Sequence, residues 1–513
     1  MKSAIIRVKN YHQGMNKEQD TRAPHATDHH MDAESFRRHG HEVIDWIADY
    51  LYGGVDDKPI MSRVKPGEIA GMLPDAPPAE GESFDSILSD LDRVVMPGLT
   101  HWQNPNWHGY FPANTSGPSI LADLVSSGLG VQGMLWSTSP ACTEIETVVM
   151  DWMAKALDLP ECFHSTPGPG CGVLQDTASS ASFVTLLAAR ERATEWRTNR
   201  QGLGEVNPKL VAYTSNQAHS SIAKAAKMAG MGEDNLRLVD VDDTYRMDPI
   251  ALRRMVEADL AAGLVPCYVC ATIGTTSSVA MDPIREIAEI TRKHGIWLHV
   301  DGAFAGSAAV CPEFRDIHDG LEHAESYTFN PHKWLFTNFD CNCLWVRDRE
   351  PLVRTLTVMP EYLKNAATES GQVIDYRDWQ VPLGRRFRSL KLWFVLRHYG
   401  LEGLQSLIRH HVALATSFES MVEAHPLLEL TTPRNLTLLC FHHVDGDAAT
   451  EAMHHAANAA GEVYLSHTKL ATDEGHRYVI RMSIGQARVE ASHVTKAFAV
   501  LSNAAEAARH SQG

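Results

Sequence analysis

Long apolar runs are missing from this chain of 513 residues. None approaches the roughly twenty residues that a bilayer-spanning helix needs, so the sequence carries no transmembrane-helix signature. The N-terminus, M-K-S-A-I-I-R-V-K-N, is charged, but polar residues follow and no signal-peptide core appears. The chain reads as cytoplasmic, with no membrane partner. Positive charge is also scarce: 46 lysines and arginines face 63 aspartates and glutamates, for a formal net charge of -17. Without a basic stripe, nucleic acid is a poor partner. Cysteines number nine, an odd count in mostly apolar contexts, which suits reduced, buried thiols better than a disulfide framework.

Two thiol pairs, Cys267 with Cys270 and Cys341 with Cys343, invite a metal reading. However, P-C-Y-V-C-A-T-I-G reads as a buried strand with both thiols in the core. The histidine pairs His29-His30, His410-His411, His442-His443 and His454-His455 lack ligand spacing and read as surface positions. No metal is expected.

What is present is apolar content, 44% hydrophobic against 21% charged, enough for a large core and more than one domain. Residues 1–30 are polar and irregular, as in a disordered tail. Over 31–115, Phe36, Val43, Ile44, Ile47 and Leu51 recur at helical spacing, a Pro/Gly-rich connector follows, and S-F-D-S-I-L-S-D-L-D-R-V-V makes a second helix. Two helices so separated cannot bury their faces on each other and need another surface, such as a partner subunit. From 116 to 390, strand-like runs (L-V-A-Y-T-S, L-R-L-V-D-V, P-C-Y-V-C-A-T-I, I-W-L-H-V, C-L-W-V) alternate with helical ones, including one stopped by Gly295. That alternation predicts an α/β fold with a mostly parallel sheet covered on both faces and ligands at the carboxyl ends of its strands. Residues 391–513 read as a smaller α+β domain.

The chemistry concentrates in S-Y-T-F-N-P-H-K-W-L. Lys333 follows a strand-like run, and about thirty residues upstream Asp301 ends another, I-W-L-H-V-D-G-A-F-A-G. Either residue alone is ordinary, a surface lysine or a turn aspartate. Together they match how pyridoxal-phosphate enzymes hold their cofactor: the amine forms a Schiff base with the aldehyde, and the carboxylate pairs with the pyridinium nitrogen. In P-G-P-G-C-G-V-L-Q-D-T-A-S-S-A-S, Gly168, Gly170 and Gly172 permit a tight turn. Thr177, Ala178 and Ser179 then open a helix, where amides and hydroxyls suit a phosphate. Such a loop is common in α/β proteins, and it matches neither the dinucleotide fingerprint nor a P-loop. His219, just past the run L-V-A-Y-T-S, either faces the same crevice or is a capping or core histidine.

These segments, with T-H-W-Q-N-P, S-P-A-C-T-E-I-E-T-V-V-M-D-W, N-Q-A-H-S-S, F-N-P-H-K-W and D-W-Q-V-P-L-G-R-R-F-R-S-L-K-L-W-F-V-L-R, resemble the aromatic-L-amino-acid decarboxylases from about Met31 to near the C-terminus. The resemblance implies a fold-type-I pyridoxal-phosphate enzyme, active as a homodimer whose N-terminal helices wrap the other subunit. It implies Lys333 as Schiff-base lysine, Asp301 as pyridinium partner, and His219 and Ala303 on the two ring faces. Thr177, Ala178, Ser179, Asn330 and His332 become phosphate contacts, with Thr276 near the ring. Tyr362 matches a tyrosine on a mobile catalytic loop, roughly 355 to 371, that delivers the Cα proton. Trp102, Tyr110, Phe111, Pro112 and Gly384 match the substrate pocket, where glycine at 384 accompanies larger rings.

Relatives with phenylalanine at the position of Tyr362, or asparagine at that of His219, tend to be aldehyde synthases. This chain keeps both residues, which favours decarboxylation of DOPA, tryptophan, 5-hydroxytryptophan, tyrosine or phenylalanine to amine and CO2. Aromatic aldehyde synthesis is the alternative. The chain departs from the animal pattern at Ala113, Gln132, Met134, Gly302 and Phe304, where that pattern has threonine, isoleucine, phenylalanine, alanine and tyrosine.

Overall fold

Seven short runs, each too apolar to face water, assemble into one sheet. The computed structural model describes residues 30–510 apart from 167, 207, 359–367, 369–372 and 473–474. The strands are β1 (Cys171–Gln175), β2 (Leu210–Ser215), β3 (Leu236–Val239), β4 (Val265–Thr272), β5 (Trp297–Asp301), β6 (Ser326–Phe329) and β7 (Asn342–Val346). Their order is β1-β7-β6-β5-β4-β2-β3. Pairings from β3 through β6 are parallel, and β7 runs against both its neighbours. This is the expected α/β sheet. β1, β2, β5, β6 and β7 are buried at every residue, because helices cover both faces. The helix Ile284–His294 buries Ile284, Ile287, Ala288 and Ile290 and ends at Gly295, whose φ of 66° makes it the expected stop.

A second, antiparallel sheet contains β8 (Leu428–Leu430), β9 (Leu438–His443), β10 (Ser466–Thr472) and β11 (Gly475–Ser483), in the order β10-β11-β9-β8. It packs with the helices Asp447–Ala459 and Ala491–His510. The helical run Ser389–Glu423, broken at Gly400 (φ 63°), packs against both sheets' cores.

Two expectations need correction. The glycine-rich stretch is not a turn. Cys171–Gln175 within it is the edge strand β1, and neither Gly170 nor Gly172 has positive φ. They are small because the packing is tight: a Cβ at 172 would lie 2.6 Å from Met150 Cε and Trp345 Nε1. The paired histidines are not all on the surface either. His411, His442, His443 and His454 are buried. Each has a hydrogen-bond partner, such as the Trp334 indole N–H on His411 (2.9 Å) or the Tyr478 hydroxyl beside His454 (2.8 Å). The cysteines conform to expectation: eight are buried and Cys162 is half-buried. Burial pushes the Cys267 and Cys341 thiols up to about 12.

The N-terminal helix Ala33–Asp49 is capped by Asp32, whose carboxylate accepts the amides of Glu34 and Ser35 (2.8 and 2.9 Å). Its apolar residues find little cover within the chain: Phe36 is 65% and Ile44 40% exposed. The expected tail falls outside the described residues except for His30. No helix among the described residues is long and apolar enough to cross a membrane.

Burial holds His108 and His411 near 3 and His299 and His318 near 4, so all four are neutral in the folded chain. Unfolded, each takes up a proton near pH 6.5. Protons therefore enter the unfolded state first as pH falls, and stability drops between pH 6.5 and 4 by ~1.4 kcal/mol per unit for each group. Buried Asp282, pushed up to about 7, acts in the opposite sense: its contribution is full at low pH and is lost as pH rises toward 7. The histidines outnumber it. Urea midpoints should therefore fall steeply from about pH 7 to about pH 5, and flat midpoints would contradict the burial of these imidazoles.

Candidate active site

The carboxyl ends of β1, β2, β4, β5 and β6 open into one cavity of about 170 Å³. Its walls include Thr177, Ala178 and Ser179 after β1, His219 after β2, Thr272 and Thr276 at the end of β4, Asp301 and Ala303 at the end of β5, and Asn330, His332 and Lys333 after β6. Every residue expected to bind cofactor lines this cavity. Residues more than 150 positions apart meet because parallel strands all end on the same side.

Local structure explains each placement. Pro331, with its fixed φ and no N–H, starts the one-turn helix Pro331–Trp334 immediately after β6. The residues flanking Lys333 are locked. His332 Nδ1 accepts the Cys341 amide (2.9 Å), and the Trp334 indole donates to His411. The Asn342 side chain donates to Asn330 Oδ1 (2.7 Å). The Asp301 carboxylate accepts the Ala303 amide (2.9 Å), which fixes its direction at the strand end. Thr177 caps the helix Ala178–Ala193, with its hydroxyl accepting the Ser180 amide. The amides of Ala178 and Ser179, in the first turn, have no intrahelical acceptor.

The electrostatics favour neutral bases. Burial, aided by Arg481, draws the Lys333 amine below the usual lysine range, and Asp301 only partly opposes this. Burial and then Lys333 lower His219, again against Asp301. Burial and Lys333 push His332 down to about 3. His219 is oriented by Ser221, whose amide donates to Nδ1 (3.2 Å) and whose hydroxyl lies 2.9 Å from it.

Of the residues expected to contact substrate, Phe111 lines the cavity. Its ring lies 5.1 Å from Lys333 Nζ and stacks on Phe304 at 4.1 Å, and Phe304 stacks on Trp334 at 5.0 Å. Trp102 and Tyr110 stack on each other beside it at 5.6 Å, both partly exposed. Neither these two nor Pro112 lines the cavity. Gly384 sits elsewhere on the chain, against Gln132: a Cβ there would lie 3.4 Å from Gln132 Oε1. Tyr362 lies outside the described residues. The departure at Gly302 has a packing reason, since a Cβ at 302 would lie 2.9 Å from the Tyr327 ring.

Arg481 is the residue that sequence reasoning missed. It is buried in β11, with its guanidinium 5.4 Å from the Phe111 ring. Its hydrogen bonds go to the carbonyls of Thr276 (2.7 Å) and Ser277 (3.0 Å) and to Ser466 Oγ (2.8 Å). No carboxylate among the described residues pairs with it. A lone arginine within the apolar run Y-V-I-R-M-S-I was the signal available.

A buried low-pKa amine, a strand-end carboxylate and a helix start rich in donors are what pyridoxal phosphate requires for its aldehyde, its ring nitrogen and its phosphate, so the residues present fit that group. The fold and this cavity define a pyridoxal-phosphate enzyme of the α/β class. Comparison with known proteins narrows the class. Residues 66–444 match the pyridoxal-dependent decarboxylase conserved domain. The chain is 44% identical to tyrosine decarboxylase 2 of Narcissus pseudonarcissus, across 93% of this chain and 95% of that protein. It is also 44% identical to phenylacetaldehyde synthase of Arabidopsis thaliana, across 94% and 98%. A crystal structure of Oryza sativa TDC with PLP and tryptamine superposes with a TM-score of 0.89 at 40% identity, covering 93% of this chain and 99% of that one. The chain belongs to the pyridoxal-dependent decarboxylase family and is a pyridoxal-phosphate-dependent carboxy-lyase.

Because Arg481 helps to hold the Lys333 amine down, Arg481→Met should raise the apparent pKa of that amine. The onset of pyridoxal phosphate binding, followed by absorbance against pH, should then move to higher pH. An unmoved onset would discount the field of Arg481.

Proposed function

We propose that the protein converts an aromatic L-amino acid to the arylalkylamine and CO2. The observation that carries this reading is the placement of Lys333 and Asp301 in one cavity whose apolar wall is the Phe111–Phe304 stack. Stacked rings suit an aromatic side chain. Bound there, pyridoxal phosphate supplies the sink for the electron pair left at Cα when CO2 departs.

The residues of the chain do the rest. Lys333, whose amine burial draws below the usual lysine range, is the nucleophile and would carry a proton on Nζ when displaced. Asp301 keeps the ring nitrogen protonated. Thr177, Ala178, Ser179, Asn330 and His332 hold the phosphate, and His332, buried and neutral, does so as a hydrogen-bond partner and not as a cation. His219 and Ala303 would hold the ring between them, with Thr276 beside it. Tyr362 delivers the proton to Cα, with neutral His219, steadied by Ser221, as a relay that passes one proton on as it takes another up, a step to which general acids contribute about 10²–10⁴ in rate.

Trp102, Tyr110, Phe111 and Pro112 form the wall that meets the substrate side chain. Gly384 and Gln132, remote from the chain's own cavity, complete the cavity of a second subunit. A homodimer also answers the burial problem of the surface. Leu121, Leu124, Val125 and Leu129 on the helix Gly117–Leu129 are 45–55% exposed, and Val381 and Leu383 beside Gly384 are 63% and 45% exposed. So large an apolar area marks an association surface. We assign 31–115 to a segment that wraps the partner, 116–390 to the cofactor domain and 391–513 to a small domain, in the cytoplasm.

The test is product analysis with pyridoxal phosphate and each aromatic amino acid, scoring CO2, amine, aldehyde and peroxide. Equal amine and CO2 are expected, with turnover abolished in Lys333→Ala. Aldehyde with peroxide would favour the second reading, aromatic aldehyde synthesis, to which the resemblance to phenylacetaldehyde synthase points. For the dimer, sedimentation of Leu124→Glu should show a shift toward monomer with loss of turnover. A fully active monomer would remove the partner from the site.

A further inference from the structure

The segment Asn106–Phe111 enters the cavity only through its last residue, and Tyr464, just before β10, with Ser466 and Ser483 of the small sheet, holds much of the rest. The His108 amide donates to the Tyr464 carbonyl (2.8 Å) and the Tyr464 amide to the Asn106 carbonyl (3.2 Å). Tyr110 adopts φ 52°, a left-handed conformation that a tyrosine rarely takes. Its amide donates to Ser466 Oγ (3.1 Å), the same hydroxyl that accepts from Arg481 (2.8 Å). Tyr464 stacks on Trp107 with centroids 4.4 Å apart, and its ring lies 6.2 Å from that of Tyr110. Gly109 lies directly against this ring, and any Cβ there would collide with its Cδ1 and Cε1. Glycine at 109 and tyrosine at 464 therefore fit as a pair: the ring fills the volume that a side chain at 109 would occupy.

Neither Gly109 nor Tyr464 lines the cavity. We propose that Tyr464, seated on Gly109, is a positioning residue that sets substrate specificity: it fixes where the Trp102–Tyr110–Phe111 wall stands, and so which aromatic side chain is accepted. The proposal rests on the reading that this wall meets the substrate. Its physical basis is that Tyr110 cannot hold a left-handed backbone unaided. Removing the Tyr464 ring leaves a void under Trp107, which the wall relaxes to fill.

The test measures kcat and KM of the holoenzyme for tryptophan, tyrosine, DOPA and phenylalanine in the wild type, Tyr464→Ala, Tyr464→Phe, Gly109→Ala and the Gly109→Ala/Tyr464→Ala double variant. Tyr464→Ala should change the ratio of kcat/KM for tryptophan to that for single-ring substrates by about five-fold or more, chiefly through KM. Tyr464→Phe, which keeps the ring, should leave that ratio within about two-fold of the wild type. Gly109→Ala should move the ratio in the wild-type background yet add nothing to Tyr464→Ala, because the ring it strikes is gone. Equal losses for all substrates, or effects that multiply independently, would overturn the proposal. If Tyr464→Ala does not fold, Gly109→Ala decides alone, and an unmoved ratio sinks the idea. A wild type that decarboxylates no aromatic amino acid overturns the functional reading and this proposal together, whereas wild-type turnover with unmoved ratios overturns only the proposal.

Discussion

Burying the Lys333 amine at the carboxyl end of a parallel sheet, in the same cavity as the Asp301 carboxylate, sets the terms for everything around it. Desolvation disfavours the ammonium, and Arg481 adds to that, while Asp301 opposes it. The outcome is an amine that gives up its proton more readily than an exposed lysine. It can be kept there only by fixing its neighbours, which is why His332, Trp334 and Asn330 are tied to Cys341, His411 and Asn342. Burial and the Lys333 amine also lower His219 and His332.

The small sheet takes part in the site as well. Arg481 comes from β11, and its guanidinium is held by the carbonyls of Thr276 and Ser277 next to the cavity and by Ser466 of β10. The aromatic segment ending in Phe111 leans on Tyr464 and Ser466. The large sheet thus supplies the candidate cofactor residues and Phe304, while the segment that brings in Phe111 rests on residues beside the small sheet.

The sheet was legible because parallel strands buried on both faces appear as unbroken apolar runs, and five of the seven were read as such along with the strand before Asn330. β1 escaped notice because its glycines imitate a turn, whereas they are there to let Met150 and Trp345 close on the strand. The buried histidines were misjudged for a similar reason. Polar type suggested the surface, and hydrogen-bond partners from distant segments, such as Trp334 for His411, made burial tolerable. Arg481 was missed because its one signal, an arginine within an apolar strand, says that it is buried but not what it faces.

Read from residues, Lys333 and Asp301 stood out only as a pair and the donors at 177–179 only beside them, because each alone is an ordinary strand end or helix start. Tertiary structure decided what depends on contact between distant segments: that these strand ends share one cavity, that Phe111 and Phe304 stack beneath Lys333, that Arg481 supplies a cation from the other sheet, and that Gly109 exists to admit Tyr464. A chain's local pattern states what a residue is able to do. Only packing places it within the few ångströms over which charges, rings and hydrogen bonds act.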